Sequence, residues 1–393
     1  MKIAIYHQLP SGGAKRALYE MVRGLKKQHE LTLFTHEGAE TYLDLSKLVH
    51  KTVWLARVAP EPVGKIAKIV DSLSHSTLRV REVDQERLAR QIDDGTFDCV
   101  FVHASQYTQS PSILQYLSTR SVYYSQEVRR VWYEKRLRQR MLGTGLRKFI
   151  QLKRESAIAK IDARNISRAN VVCVNSHHSA EAHKRAYGVE TTVVYLGINC
   201  DEFMLPVKPK SNPQGHVRLL TVGGLEEFKN QGRIIQAMSE LKAEMPSIQL
   251  DCVYDRKVDS YLEYTKTLAH SAGVKVVFHE NIPNKELIRM YGNASAVVCV
   301  ADLEPFGFTP LEAMACGTLA VALNEGGYRE TVREGETGSF IRSLAAEDIA
   351  DAVRRVRLIR TKPRDLHLYV ENSWKWSTTI AHLNEVFGAI YEN

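Results

Sequence analysis

Short apolar runs alternate with helix-length amphipathic segments along most of the chain. The runs are rich in Val, Ile and Leu, which is the pattern of parallel strands buried on both faces. Because strands that alternate with amphipathic helices form doubly wound sheets, this order predicts an α/β fold. The predicted strands lie at 3–6, 31–34, 97–103, 121–127, 169–176, 217–222, 250–254, 274–279, 296–300 and 318–323.

One stretch interrupts this alternation. Residues 206–215 are rich in Pro and poor in apolar side chains, a composition typical of a linker. The length of 393 residues is sufficient for two domains of ordinary size. We therefore predict a first Rossmann-like domain at 1–205, a linker at 206–216 and a second Rossmann-like domain at 217–376.

A loop followed by a helix start is predicted directly after the strand at 296–300. Gly307 lies in the loop, Thr309 is the expected N-cap, and Gly317 is the expected end of the helix. At such a helix start the free backbone N–H groups and the positive end of the dipole attract anions. The sequence therefore predicts an anion site here.

Two carboxylates, Glu304 and Glu312, are separated by seven residues around this helix start. In one interpretation a carboxylate binds two ribose hydroxyls of a nucleotide while the backbone amides bind its phosphates. In the other, Glu312 only caps its own helix, as the Glu of a capping box does, and Glu304 is a solvated loop residue. The pattern alone leaves both interpretations open.

The segment EPFGFTPLEAMACG, with the NEGG turn and the ETV that follow it, resembles the signature of the retaining glycosyltransferases of family 4. The resemblance implies a GT-B fold, in which two Rossmann-like doubly wound domains face each other across a cleft. It implies that the C-terminal helix, about 377–393, returns to the first domain. It also implies that Glu312 holds the donor ribose and that Glu304 faces the transferred sugar.

The activity implied by this resemblance is transfer of a sugar from a nucleotide diphosphate sugar to a hydroxyl acceptor, with retention of the anomeric configuration. The expected acceptor is a lipid-linked or cell-surface glycan precursor. Two alternatives remain. One is a GT-B nucleotide-sugar epimerase, and the other is a degenerate sugar-nucleotide-binding protein without catalysis.

A glycine loop follows the first predicted strand. Gly12 and Gly13 allow the backbone to approach a phosphate closely, with a helix dipole behind them. The loop also resembles the donor-phosphate loop of the family. A dinucleotide site with Glu37 as its ribose-binding acid is an alternative, but the loop lacks the G-x-G-x-x-G spacing.

A second glycine turn and Lys229 follow the first strand of the second domain. The resemblance implies that Lys229 contacts the donor diphosphate, and the family usually has Arg at the position of Gly224. Lys15 or Arg16 could supply that missing charge. Ile282 lies where the family packs the nucleotide base. The helix-start residues that complete the predicted donor site are Gly307, Phe308, Thr309 and Leu311.

Two predicted strands of the first domain lead to polar residues, His103 and Gln126. His103 is a candidate for substrate contact because the carboxyl ends of strands are the functional edge of such sheets. The alternative is that it only bonds a neighbouring loop. Family members commonly carry His where Gln126 stands, and Gln forms hydrogen bonds without taking up a proton. With Glu304, these two are the candidate catalytic residues.

The net charge of +8 is concentrated in one segment. Residues 129–168 contain thirteen Lys or Arg and three acids. Residues 131–168 predict one helix, with aromatic residues interleaved among the basic ones. A solvated basic helix, a nucleic-acid surface and an anionic membrane surface are the three interpretations. Since no nucleic-acid motif accompanies the segment, we expect no nucleic-acid partner and predict membrane docking.

The remaining composition predicts a cytoplasmic protein, with peripheral association at the inner face of the plasma membrane. No apolar run reaches the roughly 18 residues that span a bilayer, and the N-terminus lacks a signal-peptide pattern. The six Cys are scattered without a Cys-x-x-Cys pair. We expect no permanently bound cofactor and, in the absence of an Asp-x-Asp-type pair, no metal requirement.

Overall fold

The structure is a computed structural model. It describes residues 1–9, 11–55, 76–105, 107–206 and 216–392, with only the backbone for Glu37 and for residues 76–83. Nearly all of the predicted linker lies outside these residues. The chain forms two compact units, of which the first is Met1–Leu196 with Trp376–Asn393 and the second is Gly197–Lys375.

The boundary between the units falls at Leu196, earlier than the predicted boundary at 205. The segment after Leu196 is held by the second unit. The backbone N–H of Ile198 donates to the carbonyl of Trp374 at 2.8 Å, and the ring of Phe203 lies 6.2 Å from that of Tyr291. These contacts join residues far apart in sequence, and local composition does not reveal them.

The described strands of the first unit form one parallel sheet of seven. They are β1 Lys2–Gln8, β2 Glu30–Thr35, β3 Lys51–Trp54, β4 Cys99–Ser105, β5 Ser121–Ser125, β6 Val171–Val174 and β7 Thr192–Val193. Their order is β3-β2-β1-β4-β5-β6-β7. The direction of winding reverses between β1 and β4. Such a switch point, at the carboxyl ends of the strands, is where open α/β sheets bind ligands.

The described strands of the second unit form a parallel sheet of six. They are β8 Arg218–Val222, β9 Gln249–Tyr254, β10 Lys275–Glu280, β11 Ala296–Cys299, β12 Ala320–Leu323 and β13 Gly338–Ile341. Their order, β10-β9-β8-β11-β12-β13, is that of the Rossmann fold. The switch point therefore lies between β8 and β11, and these two sheets confirm the predicted α/β fold.

Helices connect these strands. They are α1 Gly13–Leu25, α2 Ser76–Asp93, α3 Arg130–Tyr133, α4 Lys135–Met141, α5 Gly145–Ile166, α6 His177–Tyr187, α7 Gln231–Leu241, α8 Asp259–Ala272, α9 Asn284–Asn293, α10 Phe308–Ala315, α11 Tyr328–Thr331, α12 Ala346–Val356, α13 Pro363–Ser373 and α14 Trp376–Glu392. Short 3₁₀ turns lie at Glu37–Ala39, Leu45–Lys47, Ser112–Gln115 and Glu227–Lys229. None of the described helices combines the length and the hydropathy that a bilayer span requires.

The last helix, α14, belongs to the first unit. It packs against α1 where α1 carries Gly24, since a Cβ at that position would lie 2.4 Å from Cγ1 of Ile380. Leu383 and Phe387 of α14 are fully buried in the core of this unit. The C-terminal segment thus completes a sheet domain that begins at the N-terminus.

The prediction of one long helix over residues 131–168 is wrong in extent. Three helices, α3, α4 and α5, cover this segment. Extended backbone at Glu134 (φ −101°, ψ 105°) separates the first two, and Leu142 is also extended (φ −91°, ψ 133°). Gly145 at φ +59° then begins α5. The helix is therefore interrupted by local changes in backbone conformation, although the apolar positions along the segment fit one continuous helix.

Candidate functional site

The loops after β8 and β11 meet at the switch point of the second unit. The backbone N–H of Asp302 donates to the carbonyl of Phe228 at 3.0 Å. The Asn230 side chain donates to the carbonyl of Val300 at 2.8 Å. These bonds hold the two loops together, so side chains from both are brought to one edge of the sheet.

Two predicted site residues, Lys229 and Glu304, form an ion pair at this edge. Nζ of Lys229 lies 2.9 Å from Oε2 of Glu304. The side chains are 21% and 24% exposed, so the pair remains open to solvent. Lys229 also lies over the ring of Phe228, with its Nζ 5.6 Å from the ring centroid. The structure therefore brings a lysine and a carboxylate together at one place, and phosphate binding by Lys229 stays a prediction.

Helix α10 begins beside this pair, at Gly307. The N-cap is Gly307, with φ 100° and ψ 61°. Little space is left at the position that a side chain on Gly307 would occupy. A Cβ there would lie 2.9 Å from the ring of Tyr328 and 3.2 Å from Oγ1 of Thr331. The prediction of Thr309 as N-cap is wrong, because Thr309 lies inside the helix and no side chain caps it. No side chain caps the helix start, and the anion site predicted there stays a prediction.

Glu312 does not cap its helix. It lies in the second turn of α10 rather than the first, and it is only 3% exposed. Its Oε2 accepts a hydrogen bond of 2.6 Å from the hydroxyl of Tyr291 in α9. The capping interpretation is therefore wrong, and the ribose-binding role of Glu312 stays a prediction. No sequence pattern singled out Tyr291, because this contact joins two helices.

The other residues of the predicted donor site are dispersed along the same edge. Phe308 and Thr309 are half-buried in the first turn of α10. The side chain of Leu311 is fully buried in the core. Ile282 is half-buried just after β10, the outermost strand, and β9 separates β10 from β8. Ile282 is therefore the member farthest from the switch point in sheet order.

In the first unit the glycine loop leads into α1. Gly12 is the N-cap at φ 128°, and a Cβ there would meet no atom of the described residues within 4 Å. Among the described residues, the space on this side of Gly12 is therefore open. The predicted phosphate contact itself stays a prediction.

A buried polar cluster lies in α1 and the neighbouring strands and consists of His7, Lys15, Thr35 and Glu40. Nζ of Lys15 lies 3.0 Å and 2.9 Å from the two carboxylate oxygens of Glu40. The hydroxyl of Thr35 donates to Glu40 at 2.8 Å, and Nε2 of His7 lies 2.8 Å from the same oxygen. Lys15 is fully buried, so it does not supply the phosphate-binding charge considered for it.

Burial and mutual contact set the protonation of this cluster. Burial lowers the pKa of His7 to about 4, so His7 is neutral and donates a hydrogen bond to Glu40. Burial alone would raise the pKa of Glu40, but His7 and Lys15 bring it down to about 2. Burial also lowers the pKa of Lys15. Glu37 was the acid of the disfavoured dinucleotide alternative, whereas Glu40 is the acid of this buried cluster.

His103 lies in β4 and is fully buried. Its ring stacks on Tyr124 with centroids 5.8 Å apart and meets the ring of Phe101 edge-on at 4.4 Å. Neither ring nitrogen has a hydrogen-bond partner among the described residues, and burial holds its pKa well below the usual value. His103 therefore does not bond a neighbouring loop among the described residues, and its predicted substrate contact stays a prediction.

Gln126 is half-buried at the exit of β5, and Asn175 fixes its orientation. Nδ2 of Asn175 donates to the backbone carbonyl of Gln126 at 3.0 Å and to its Oε1 at 3.1 Å. Oδ1 of Asn175 in turn accepts from the hydroxyl of Ser179 at 2.7 Å. Nε2 of Gln126 has no partner among the described residues. The catalytic role of Gln126 stays a prediction.

Asp162 of α5 is a buried carboxyl that the sequence analysis did not identify. Its Oδ1 accepts from the backbone N–H of Ser110 at 2.9 Å, and the side chain of Asn165 donates to the Ser110 carbonyl at 2.8 Å. Oδ2 of Asp162 has no partner among the described residues. Burial raises the pKa of Asp162 to about 7. Only the fold places this carboxyl in the interior.

The described residues contain no group of three or more His, Cys, Asp or Glu that could hold a metal ion. The expectation of a metal-independent reaction stays a prediction.

Two family models match consecutive parts of the chain. Residues 11–202 match the model described as Glycosyltransferase Family 4, and residues 207–372 match the model described as Glycosyl transferases group 1. The two matches divide near the boundary between the structural units. Together they extend over most of the sequence.

Known relatives agree with these matches. A GDP-mannose-dependent alpha-(1-6)-phosphatidylinositol monomannoside mannosyltransferase of Mycolicibacterium smegmatis is 29% identical over 246 residues, 56% of this chain and 62% of that protein. A D-inositol 3-phosphate glycosyltransferase of an Arthrobacter species is 28% identical over 165 residues, 40% of this chain and 39% of that protein. The chain thus matches less than two thirds of the length of these relatives.

The crystal structure of Anabaena HepE in complex with UDP-glucose has the same fold, with a TM-score of 0.70 and 16% sequence identity. The superposition covers 99% of this chain and 100% of that one. On the two family models, these relatives and the two parallel sheets, the chain belongs to glycosyltransferase family 4 and has the GT-B fold.

Proposed function

We propose that the protein transfers a hexose from a nucleotide diphosphate sugar to a hydroxyl acceptor, with retention of the anomeric configuration. The observation that carries the proposal is the ion pair between Lys229 and Glu304 at the switch point of the second unit. The start of α10 lies beside this pair, and Glu312 lies one turn further along the helix. A cation, backbone N–H groups and two carboxylates are the groups that a sugar nucleotide requires.

In this proposal Lys229 and the backbone N–H groups at the start of α10 stabilise the negative charge that develops on the departing diphosphate. Glu312, which accepts the hydrogen bond from Tyr291, binds the donor ribose. Glu304 faces the transferred sugar. The reaction needs neither a covalent nucleophile from the protein nor a bound metal.

The class of donor and acceptor is proposed from the relatives. The mycobacterial relative is named for GDP-mannose and a phosphatidylinositol monomannoside, and HepE was crystallised with UDP-glucose. We propose a nucleotide diphosphate hexose as donor and a lipid-linked glycan precursor as acceptor for this chain.

Helices α4 and α5 support docking of the first unit on an anionic membrane. Leu146 is 74% exposed and Phe149 is 53% exposed, and Nζ of Lys153 lies 5.0 Å over the Phe149 ring. Lys153 and Lys160 are exposed on the same face of α5. This combination of apolar and basic side chains is typical of a helix lying in a membrane interface.

Part of the charge of this segment is neutralised internally. Arg129 pairs with Glu155 at 2.7 Å, and Arg130 pairs with Glu134 at 3.1 Å. The attraction to an anionic surface therefore rests on the basic residues of α4 and α5 rather than on all thirteen of the segment. Each basic residue near such a surface contributes about 1 kcal/mol.

Incubation with labelled nucleotide sugars tests the catalytic proposal. We expect sugar transfer that depends on an added lipid-linked acceptor, together with loss of nucleotide binding in Glu312→Ala. Donor interconversion without acceptor would indicate an epimerase, and binding without turnover would indicate a degenerate binding protein. Because Glu312 is buried, the thermal stability of the variant is measured in parallel.

Co-sedimentation with vesicles tests the membrane proposal. We expect binding to vesicles with anionic lipid, little binding to neutral vesicles, and weaker binding as salt rises. Replacing Arg147, Lys153 and Lys160 by Gln should abolish this preference. The matched control removes three exposed charges of the second unit, Lys275, Lys285 and Arg357, and should bind as the wild type does. Equal loss in both variants, or no preference in the wild type, would contradict docking through α5.

A further inference from the structure

The glycine turn after β8 is joined to the loop after β9 by backbone hydrogen bonds. The N–H of Leu225 donates to the carbonyl of Arg256 at 2.7 Å, and the N–H of Val258 donates to the carbonyl of Leu225 at 3.0 Å. Leu225 also forms a parallel bridge with Lys257. The backbone of Arg256 is therefore fixed directly beside the turn at Gly224.

The guanidinium of Arg256 lies over this turn. Nη2 is 3.8 Å from the point that a Cβ on Gly224 would occupy. Its nearest carboxylates are Glu226 at 4.0 Å and Asp255 at 3.9 Å, both too long for a hydrogen bond. The side chain of Arg256 is 60% exposed. Its charge is therefore held loosely and open to a ligand.

The charge of the next residue, Lys257, is held in a short ion pair instead. Nζ of Lys257 donates a hydrogen bond of 2.8 Å to Oε2 of Glu280. The charge of Lys257 is thus engaged within the protein, although the residue is next to Arg256 in the same loop. Lys257 provides a matched control.

A second cation, Lys229, lies close to the same turn. A Cβ on Gly223 would lie 3.9 Å from Cδ of Lys229, the residue that pairs with Glu304. The turn at Gly223 and Gly224, which carries no side chain, is therefore bordered by Lys229 and Arg256. Two cations around a bare backbone turn suit a ligand with two adjacent phosphates.

We propose that Arg256 is a second phosphate-binding residue of the donor site and contacts the diphosphate together with Lys229. The inference rests on the proposed function, since it assigns a residue to the same site. A guanidinium forms paired hydrogen bonds to phosphate oxygens. Phosphate then replaces the long contacts that Arg256 makes with Glu226 and Asp255.

Calorimetry of Arg256→Gln with UDP, GDP and ADP tests this assignment. For the nucleoside diphosphate that the wild type binds, we expect affinity to fall about tenfold, the effect of one charge-assisted contact. The loss with the corresponding monophosphate should be smaller, because it has one phosphate fewer to contact. Lys257→Gln should bind as the wild type does.

A relocated charge provides the second test. The φ of Gly224 lies outside the left-handed region, and a Cβ there would meet only the flexible end of Glu226 closely, at 2.9 Å. The Cβ of an Arg at this position would lie 3.8 Å from the place that Nη2 of Arg256 occupies in the wild type. We therefore expect Gly224→Arg to restore diphosphate affinity in the Arg256→Gln background.

The outcomes separate this assignment from the proposed function. A wild type that binds none of the diphosphates would overturn both. A wild type that binds one of them, with Arg256→Gln binding equally well, would overturn only the role of Arg256. Equal losses in Arg256→Gln and Lys257→Gln would also overturn it, because a general change of surface charge would then explain the effect.

Discussion

The ion pair between Lys229 and Glu304 has consequences for ligand binding. Both side chains are partly exposed, and exposed pairs contribute only about 0 to 1 kcal/mol. A diphosphate carries more charge than one carboxylate and competes with Glu304 for Lys229. The pair is therefore expected to open when donor binds, which frees the Glu304 carboxylate.

We predict that Glu304→Gln leaves the affinity for free nucleoside diphosphate unchanged or raises it up to about fivefold, because Lys229 loses a competing partner. Turnover should fall on the order of a hundredfold or more, since the carboxylate that faces the sugar is lost. Calorimetry and an initial-rate assay measure the two effects. Lys229→Met serves as the comparison and should lose affinity. A parallel loss of affinity in Glu304→Gln would contradict this role.

Asp162 makes stability depend on pH. Its pKa is raised to about 7 in the folded state, against an ordinary value near 3.8. Between these values the folded state binds more protons than the unfolded state, so the contribution of Asp162 to stability is full below about pH 4 and is lost as pH rises through 7.

We predict that Asp162→Asn gains stability relative to the wild type as pH rises from about 4 to 7. The difference in unfolding free energy should grow at a slope approaching about 1.4 kcal/mol per pH unit and become constant above pH 7. Urea unfolding at several pH values measures it. An Asn can still accept the hydrogen bond from Ser110. A difference that does not vary with pH would show that Asp162 does not titrate in this range.

At the scale of elements, both glycine-led helices depend on backbone that other residues rarely adopt. Gly12 begins α1 at φ 128° and Gly307 begins α10 at φ 100°. Their surroundings differ, since a Cβ at Gly12 meets open space whereas one at Gly307 meets the Tyr328 ring. The two positions thus separate backbone strain from crowding.

We predict that Gly307→Ala destabilises the second unit by about 2 to 4 kcal/mol, the sum of a positive-φ penalty and overpacking. Gly12→Ala should cost the first unit only about 1 to 2 kcal/mol, because strain acts there without crowding. Denaturant unfolding of both variants measures these losses. Equal losses would mean that Tyr328 moves aside at little cost.

At the scale of the whole molecule, the chain leaves the first unit, forms the second and returns through α14. Phe387 of this helix is fully buried, and its ring meets that of Phe101 in β4 edge-on at 5.3 Å. Helix α14 therefore stabilises the sheet of the first unit through its contact with β4.

We predict that Phe387→Ala destabilises the first unit by about 3 to 5 kcal/mol, the usual cost of emptying a buried aromatic position. Calorimetry should show a lower transition for that unit and an unchanged one for the second. Tyr391→Ala, on the exposed side of the same helix, should change stability by less than about 0.5 kcal/mol. A shift of both transitions would indicate that the units unfold together.

The sequence by itself determined most of the strands, the glycine turns and the family, but it did not predict β3, β7 and β13. Apolar runs predicted β1, β8 and β11, because a strand buried on both faces needs several consecutive apolar residues. The glycines at 12, 307 and 317 were recognisable because turn conformation depends on the local chain. The pairing of Lys229 with Glu304 was not predicted, because it depends on which strands become neighbours at the switch point.

The tertiary structure alone decided which polar side chains are buried and with what. It placed Lys15 against Glu40, removed His103 from solvent, and bonded Glu312 to Tyr291. It also put Arg256 over the turn at Gly224. Each of these contacts joins residues from different elements. A sequence pattern indicates which face of a helix or strand is apolar, but it does not indicate which other elements pack against that face. Burial, and with it charge and pKa, follows from those neighbours.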